Sequence, residues 1–408
     1  MNRKQFAILI VLLIFLGGAG WLVEQSRERS AGAGEPGAGQ KLMGDAFPVN
    51  DVALISIKQG TNELNLVKKN DLWRVRERGD YPANFSQISE FLLRLRDLKV
   101  VQSEAIGPSQ LPRLQLAPPG QGTNSGTILD LQNKDGKSLA MLTLGKQHKS
   151  KPSAQQRQFA QFGDMEFPDG RYVLKAGNNA SALLVADPFS NIEPKADEWL
   201  DKDFFKVERP KAVAVTFPDA TNSWKIERDT DSGDWKLADA QGDEKLDPAR
   251  ATDVSSPFSS PAFNDVLSPG DKSEAAAMDK PTIITIDTFD DFTYTVKVGA
   301  KQDQNYPLTL TVAANFPKQR IPAKDEKPED LVKADKAWKD RQAQLEDKLK
   351  QAKKFENWIY LVASWSVDPI LKPRKDLLVE KKEEPKPAEK SDSTSATPDE
   401  PRPDAAAK

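Results

Sequence analysis

The chain contains no cysteine and only one histidine, His148. The first absence excludes disulfides, thiolate metal centres and cysteine nucleophiles together, and with them a lipid-modified N-terminal cysteine. The second excludes a multi-histidine zinc site. His148 stands in the polar stretch Gly145-Lys146-Gln147-His148-Lys149-Ser150, which reads as a loop and offers the ring no evident partner. An excess of charge of one sign is also lacking: 58 Lys and Arg face 61 Asp and Glu, for a formal net charge of −3. Without a basic surplus, nucleic acid is not an expected partner. There is no P-loop, no glycine fingerprint for dinucleotides and no Gly-x-Ser-x-Gly elbow, so no cofactor is expected.

Long hydrophobic runs are scarce as well, which makes the one at the N-terminus informative. Phe6 to Val23 carries no charge, Arg3 and Lys4 precede it, and Trp21 lies near its far end. About 20 apolar residues in a helix span the hydrocarbon core of a bilayer. Residues 1–23 therefore predict a cytoplasmic stub and a transmembrane anchor. Phe6, Ile8, Leu9, Leu12, Leu13, Leu16 and Trp21 form its apolar surface. Positive residues before the span hold the N-terminus inside and place the bulk of the chain outside the cytoplasm. A cleaved signal peptide is the competing reading, with Ala31-Gly32-Ala33 as a small-x-small site well beyond the run. Residues 24–48, rich in Ala and Gly, predict a flexible linker. Residues 380–408 hold Lys, Glu, Pro, Ser, Ala and Asp with almost nothing apolar, and predict a disordered tail.

Between these ends lies an internal repeat, with unit boundaries at 49–208 and 209–379. The first copy opens with the strand Val52-Ala53-Leu54-Ile55-Ser56-Ile57, then Leu64-Asn65-Leu66-Val67, an Asn70-Asp71 turn and Leu72-Trp73-Arg74-Val75. The second opens with Val213-Ala214-Val215-Thr216-Phe217, then Trp224-Lys225-Ile226, a Ser232-Gly233-Asp234 turn and Trp235-Lys236-Leu237. Alternating apolar residues between turn residues predict short antiparallel strands. A helix follows in each copy. Asn84 and Gln87 form a capping box ahead of Ile88, Phe91, Leu92, Leu95 and Leu98 at helical spacing. Asp247 and Pro248 open the second helix, which Pro257 and Pro261 cut short. Hairpins follow at Asp135-Gly136 and between Ile286 and Phe292. The tyrosine strand Tyr172-Val173-Leu174 is set against Trp358-Ile359-Tyr360-Leu361-Val362. Asp187-Pro188 is set against Asp368-Pro369, and the closing block Lys202-Asp203-Phe204-Phe205 against Lys375-Asp376-Leu377-Leu378. Trp73 and Trp235, at equivalent strand positions, read as core.

The second copy carries an insertion at about 326–357. Leu331, Trp338, Leu345 and Ala352 recur there at heptad spacing among Lys, Asp, Glu, Ala and Gln. This predicts a helix of about 40 Å with a narrow apolar stripe. The stripe either lies on its own domain or docks a partner through Leu331, Trp338 and Leu345.

Several aspartates lie close together in the sequence. Asp229-Thr230-Asp231-Ser232-Gly233-Asp234 superficially suggests a calcium loop, but its glycine and closing residue fall at the wrong places, so a hairpin turn is expected. Asp201 with Asp203, or Asp287 with Asp290 and Asp291, could serve a glycosidase only if a cleft set them at a defined separation.

Leu72-Trp73-Arg74-Val75, the Pro82-Ala83-Asn84 entry to a helix, and Trp199-Leu200-Asp201-Lys202-Asp203-Phe204-Phe205 before Val213-Ala214-Val215 resemble the bacterial DUF4340 domain-containing proteins, a family of unknown function. The resemblance runs from about Val49 to Val379 and includes the N-terminal anchor. It implies an accessory role in envelope transport, with subunits of a gliding-type ABC transporter system as partners. The resulting expectation is an α+β protein of two tandem sheet-plus-helix copies with a transmembrane helix and an inserted long helix. It would be a single-pass inner-membrane protein facing the periplasm and acting as a non-catalytic scaffold. A cell-wall glycan-binding module and an envelope polymer hydrolase are the alternatives. The oligomeric state is left open.

Overall fold

A computed structural model describes residues 37–118, 124–150, 166–177, 181–267, 278–322 and 327–379. The residues expected to form an anchor, Phe6 to Trp21, and the expected tail 380–408 lie outside the described residues.

The first unit comprises β1 (Leu54–Gln59), β2 (Asn62–Lys69), β3 (Leu72–Val75), β4 (Tyr81–Pro82), helix α1 (Phe85–Asp97), β5 (Val100–Ala105), β6 (Thr127–Gln132), β7 (Ser138–Ser150), β8 (Phe167–Lys175) and β9 (Ser181–Val185). The second comprises β10 (Pro210–Thr216), β11 (Trp224–Glu227), β12 (Lys236–Leu237), α2 (Pro248–Val254), β13 (Phe263–Val266), β14 (Thr282–Thr288), β15 (Phe292–Val298), β16 (Asn305–Ala314), α3 (Pro328–Ala352), β17 (Tyr360–Ala363) and α4 (Ser364–Val367). The architecture is α+β, with two antiparallel sheets and few helices.

The sheets run β4-β3-β2-β1-β6-β7-β8-β9-β5 and β12-β11-β10-β14-β15-β16-β17-β13. Apart from β4 the two orders are the same, strand for strand. The registers agree as well: Ile55 lies opposite Leu66, and Val213 opposite Ile226. The tight turns were legible because their chemistry is local. Asn70 and Asp71 both take positive φ between β2 and β3, and Gly136 sits at φ +77° between β6 and β7. Asn and Asp tolerate this left-handed region, and glycine enters it freely.

Topology corrects two of the equivalences drawn from sequence. The strand of Tyr172 is β8, whose counterpart is β16; Tyr360 lies in β17, the counterpart of β9. The inserted α3 therefore joins the last two strands of its hairpin series. The closing blocks also shift. The N–H of Asn84 donates to the Trp199 carbonyl at 2.9 Å, and that of Asp247 donates to the Leu377 carbonyl at 2.9 Å. Ala83 bridges Leu200, and Leu246 bridges Leu378. The short 3-10 turn Ala196–Trp199, not Lys202–Phe205, is thus the partner of Arg374–Leu377. In both units the turn holds the start of the helix, and the helix in turn covers one face of the sheet.

Lys202–Phe205 instead belongs to the connector, and its two phenylalanines pin it into the second unit. Phe204 meets Phe263 at 5.0 Å and Tyr360 at 4.6 Å between ring centroids. Phe205 meets Phe258 at 5.5 Å. Tyr81 of the first unit joins the same cluster through Trp358 at 5.0 Å and Phe263 at 5.9 Å. Beside it, Arg78 donates from Nε and Nη2 to the two oxygens of Asp265, each at 2.7 Å. A planar fork onto a carboxylate is a strong and orienting ion pair. The two sheets consequently share one continuous hydrophobic core. Burial drives the phenols of Tyr81 and Tyr360 well above the ordinary tyrosine range.

Part of the segment that composition assigns to a linker is built into the fold. Leu42 is fully buried and Phe47 belongs to the core. Residues before 49 thus contribute to the core that the first sheet shares.

Candidate functional site

Helix α3 spans 25 residues, beginning at Pro328 in the first helical position. Its two halves have different environments. In the C-terminal half Leu345 and Ala352 are buried and Leu349 packs beside them. Two basic side chains pin this half: Arg341 donates to Asp290 at 2.8 Å, and Lys348 to Glu208 at 2.7 Å. Asp290 also accepts from Arg209 at 2.7 Å. In the N-terminal half Leu331 and Trp338 are only half-buried, and Val332 is exposed. Asp335, in this half, accepts from Arg320 at 2.7 Å. Of the three docking candidates, then, Leu345 is committed to its own domain. Leu331 and Trp338, at the other end of the helix, are half-buried.

Three of the five carboxylates considered for catalysis have structural partners. Asp290 sits between two guanidiniums, as above. Asp287 accepts from the Thr293 hydroxyl at 2.7 Å, and Asp201 from the Asp203 N–H at 3.1 Å. In the loop suggestive of calcium, Asp229 pairs with Lys236 at 2.7 Å and Asp231 with Arg209 at 2.8 Å. These cations hold both carboxyls below their usual range. The turn expected there is present, closed by the Gly233 N–H on the Thr230 carbonyl. Among the described residues no three metal-ligating side chains converge.

His148 is not in a loop. Strand β7 continues past Gly145 through two register shifts and carries it as the cross-strand partner of Gly170. Its Nδ1 lies 2.6 Å from a carboxylate oxygen of Asp169. Hydrogen bonds from His148 and Ser150 hold the Asp169 carboxyl below its usual range. Sequence reasoning missed this pair because its partners are far apart along the chain.

The tryptophans divide. Trp73, Trp199 and Trp224 are buried. Trp235 occupies the register equivalent of Trp73 yet is only half-buried, with the Arg228 guanidinium 4.9 Å from its ring. Trp365, on α4, is 66% exposed.

A polar recess of about 600 Å³ lies at one end of the first sheet. Asp51, Lys68, Asp71 and Lys134 are among its lining residues, and Lys68 and Asp71 pair across 3.6 Å. A second, of about 360 Å³, surrounds the Asp187–Ile192 loop, where Arg94 reaches Asp187 at 3.5 Å. Each holds at least one such ion pair across its lining. Among the described residues no helix is long and apolar enough to cross a membrane.

These features define a class: an α+β protein of two like-ordered antiparallel sheets on a shared core, with a charged helical arm between the last two strands. A family model described as a domain of unknown function, DUF4340, matches residues 73–281, just over half of the chain, and the protein belongs to that family. The matched span begins inside β3 and ends just before β14, so it includes parts of both sheets. No curated protein and no solved structure matches the chain.

Proposed function

We propose that this is a non-catalytic scaffold or accessory protein of the cell envelope, held in the inner membrane by residues 1–23 and working through contacts with other envelope proteins. The carrying observation is the uncharged run Phe6–Val23 behind Arg3 and Lys4. A span of that length with basic residues on its N-terminal side is an anchor whose following domain is exported. The two matched sheets support a second element of the reading, that one ancestral unit was duplicated in tandem. The N-terminal half of α3, with Leu331 and Trp338, is the docking surface in this reading. Subunits of a gliding-type ABC transporter are the partners to look for first.

The test is affinity purification of the full chain from detergent-solubilised membranes, with partners identified. Trp338→Asp should abolish co-purification while leaving the fold intact, because Trp338 is half-buried and Leu345 stays in the core. Partners retained by that variant, or a C-terminal reporter that functions in the cytoplasm, would sink the proposal.

One observation favours a second reading, binding of cell-wall glycan. Trp365 is 66% exposed on α4, three residues before Asp368, whose carboxylate accepts from the Tyr306 hydroxyl at 2.7 Å. Retention by purified wall material alone, lost in Trp365→Ala, would support it over the scaffold reading.

A further inference from the structure

We infer that the recess at the turn end of the first sheet receives the guanidinium of an arginine carried by a partner protein, in the place that Arg341 of α3 takes on the second sheet. The recess shares no residue with the α3 surface proposed above.

Two pairs of backbone hydrogen bonds align the units here. The Lys68 N–H donates to the Ala53 carbonyl at 2.8 Å, and the Arg228 N–H to the Lys211 carbonyl at 3.0 Å. The Gly136 N–H donates to the Asn133 carbonyl at 3.1 Å, and the Asp291 N–H to the Thr288 carbonyl at 3.2 Å. Both hairpin turns place their last residue at positive φ, +77° at Gly136 and +61° at Asp291. Asp135 therefore corresponds to Asp290 and Lys68 to Arg228. Two residues before Ala53 and Lys211, Asp51 corresponds to Arg209.

The shared carboxylate has opposite surroundings in the two units. Asp290 is 9% exposed and accepts from Arg209 at 2.7 Å and Arg341 at 2.8 Å. A carboxylate so far out of water needs such partners. One of them is brought by a helix and not by the sheet itself. Asp135, in contrast, is exposed and lines the recess of about 600 Å³. Neither cation has a counterpart there. Asp51, itself a carboxylate, stands where the second unit has Arg209. Residues 176–180, which join β8 to β9, are too few for a helix like α3.

The lining is consequently negative. Asp51, Asp71 and Asp135 face two ammoniums, Lys68 and Lys134, and Lys68 is paired with Asp71 at 3.6 Å. Among the described residues neither Asp51 nor Asp135 has an ion-pair partner. A guanidinium suits such a place better than an ammonium, because its planar fork can donate to two oxygens at once. A free amino acid would bring its own carboxylate into a negative lining, so charge favours a side chain of a protein.

The test uses the full-length protein in detergent, with Nα-acetyl-arginine amide as the probe and amide chemical shifts as the readout. Saturable shifts are expected at Asp51, Asp135 and Gly136, with none at Asp290 and Asp291, where the place is taken. Asp135→Asn should weaken binding about tenfold or more, as the loss of a hydrogen bond to a charged group implies. Asp51→Arg installs the second unit's own residue and should abolish binding. Both positions are exposed, so the rest of the amide spectrum should stay unchanged and report an intact fold. Absence of saturable shifts at the recess overturns the inference. So does a response that survives both substitutions, or one that Nα-acetyl-lysine amide gives with equal affinity. Tighter binding of L-arginine than of its capped form would assign the recess to a free amino acid and overturn the partner protein as its occupant.

Discussion

The first sheet is covered by a 13-residue helix that buries Ile88, Phe91, Leu92 and Leu95; the equivalent helix over the second sheet has seven residues and buries only Ala251 and Val254. Both start well. The Asn84 side chain accepts from the Gln87 N–H at 3.0 Å, and Asp247 accepts from the Ala249 and Arg250 N–H groups at 2.8 and 3.3 Å. They differ in how they end. Pro257 disfavours helical backbone in the residue before it and cannot itself donate, so α2 stops at Val254. The apolar face left uncovered is met by α3, whose Leu345, Leu349 and Ala352 join the core of the second sheet. A long helix in the second unit thus covers sheet face that α1 covers in the first. The lesson is that both sheets have a covered face, though not covered by the same element.

The largest effect that tests this comparison is core truncation. Leu92 on α1 and Leu345 on α3 are 7% and 8% exposed. If both are lids, Leu92→Ala and Leu345→Ala should each destabilise by about 2–5 kcal/mol in urea unfolding. A loss at Leu345 of only a few tenths would show the arm to be an ornament on its sheet. Next in size is the joint between units. Arg78→Ala leaves the Asp265 carboxylate partly buried without its fork and should cost about 1–3 kcal/mol. The double change Arg78→Ala with Asp265→Ala should cost less than the single one. If the single change were silent, the ion pair would contribute nothing to holding the sheets together.

Cap removal comes third. Asn84→Ala and Asp247→Ala should each cost about 1 kcal/mol by the same assay. The loss should be no smaller at Asp247, where the carboxylate serves two N–H groups. The last prediction has no effect at neutral pH. Tyr294 and Tyr306, both in the second unit, have phenols pushed up from 10.0 to about 12, chiefly by burial. A proton held more tightly by the folded than by the unfolded chain stabilises the fold fully below pH 10, and that contribution is lost as pH rises through about 12. Stability should fall across that window, and absorbance titration should show no normal phenolate in the native protein, since all five tyrosines are raised. Two phenols ionising near pH 10 before unfolding would contradict the burial of Tyr294 and Tyr306.

Much of the fold was legible, and where it was not the reason is physical. Helix starts at Asn84 and Asp247, turns at Asn70-Asp71 and Asp135-Gly136, and the early stop of α2 were all read correctly. Strand β5 was not, because Val-Val-Gln-Ser-Glu-Ala lacks alternation and five of its six residues are exposed. The closing turns were misaligned because Lys-Asp-apolar-apolar occurs in both stretches, whereas the hydrogen bond that defines the turn reaches back across the whole unit. Gly37–Pro48 has a linker's composition, yet Leu42 found a buried site. Of the candidate surface, the stripe on α3 was visible as a heptad, but its division into a buried and an open half was not.

What residues 37–379 determined by themselves is whatever a few neighbouring residues can settle: caps, turn handedness, the alternation of strands and where prolines end a helix. These depend on backbone sterics and short-range hydrogen bonds, which travel with the sequence. Only the tertiary structure decided which strand guards which edge, that Phe204 and Phe205 pin one unit to the other, and that an inserted arm closes the second core. Those outcomes follow from burying the apolar surface and pairing the strand edges left over once local structure has formed, and that remainder is a property of the whole chain.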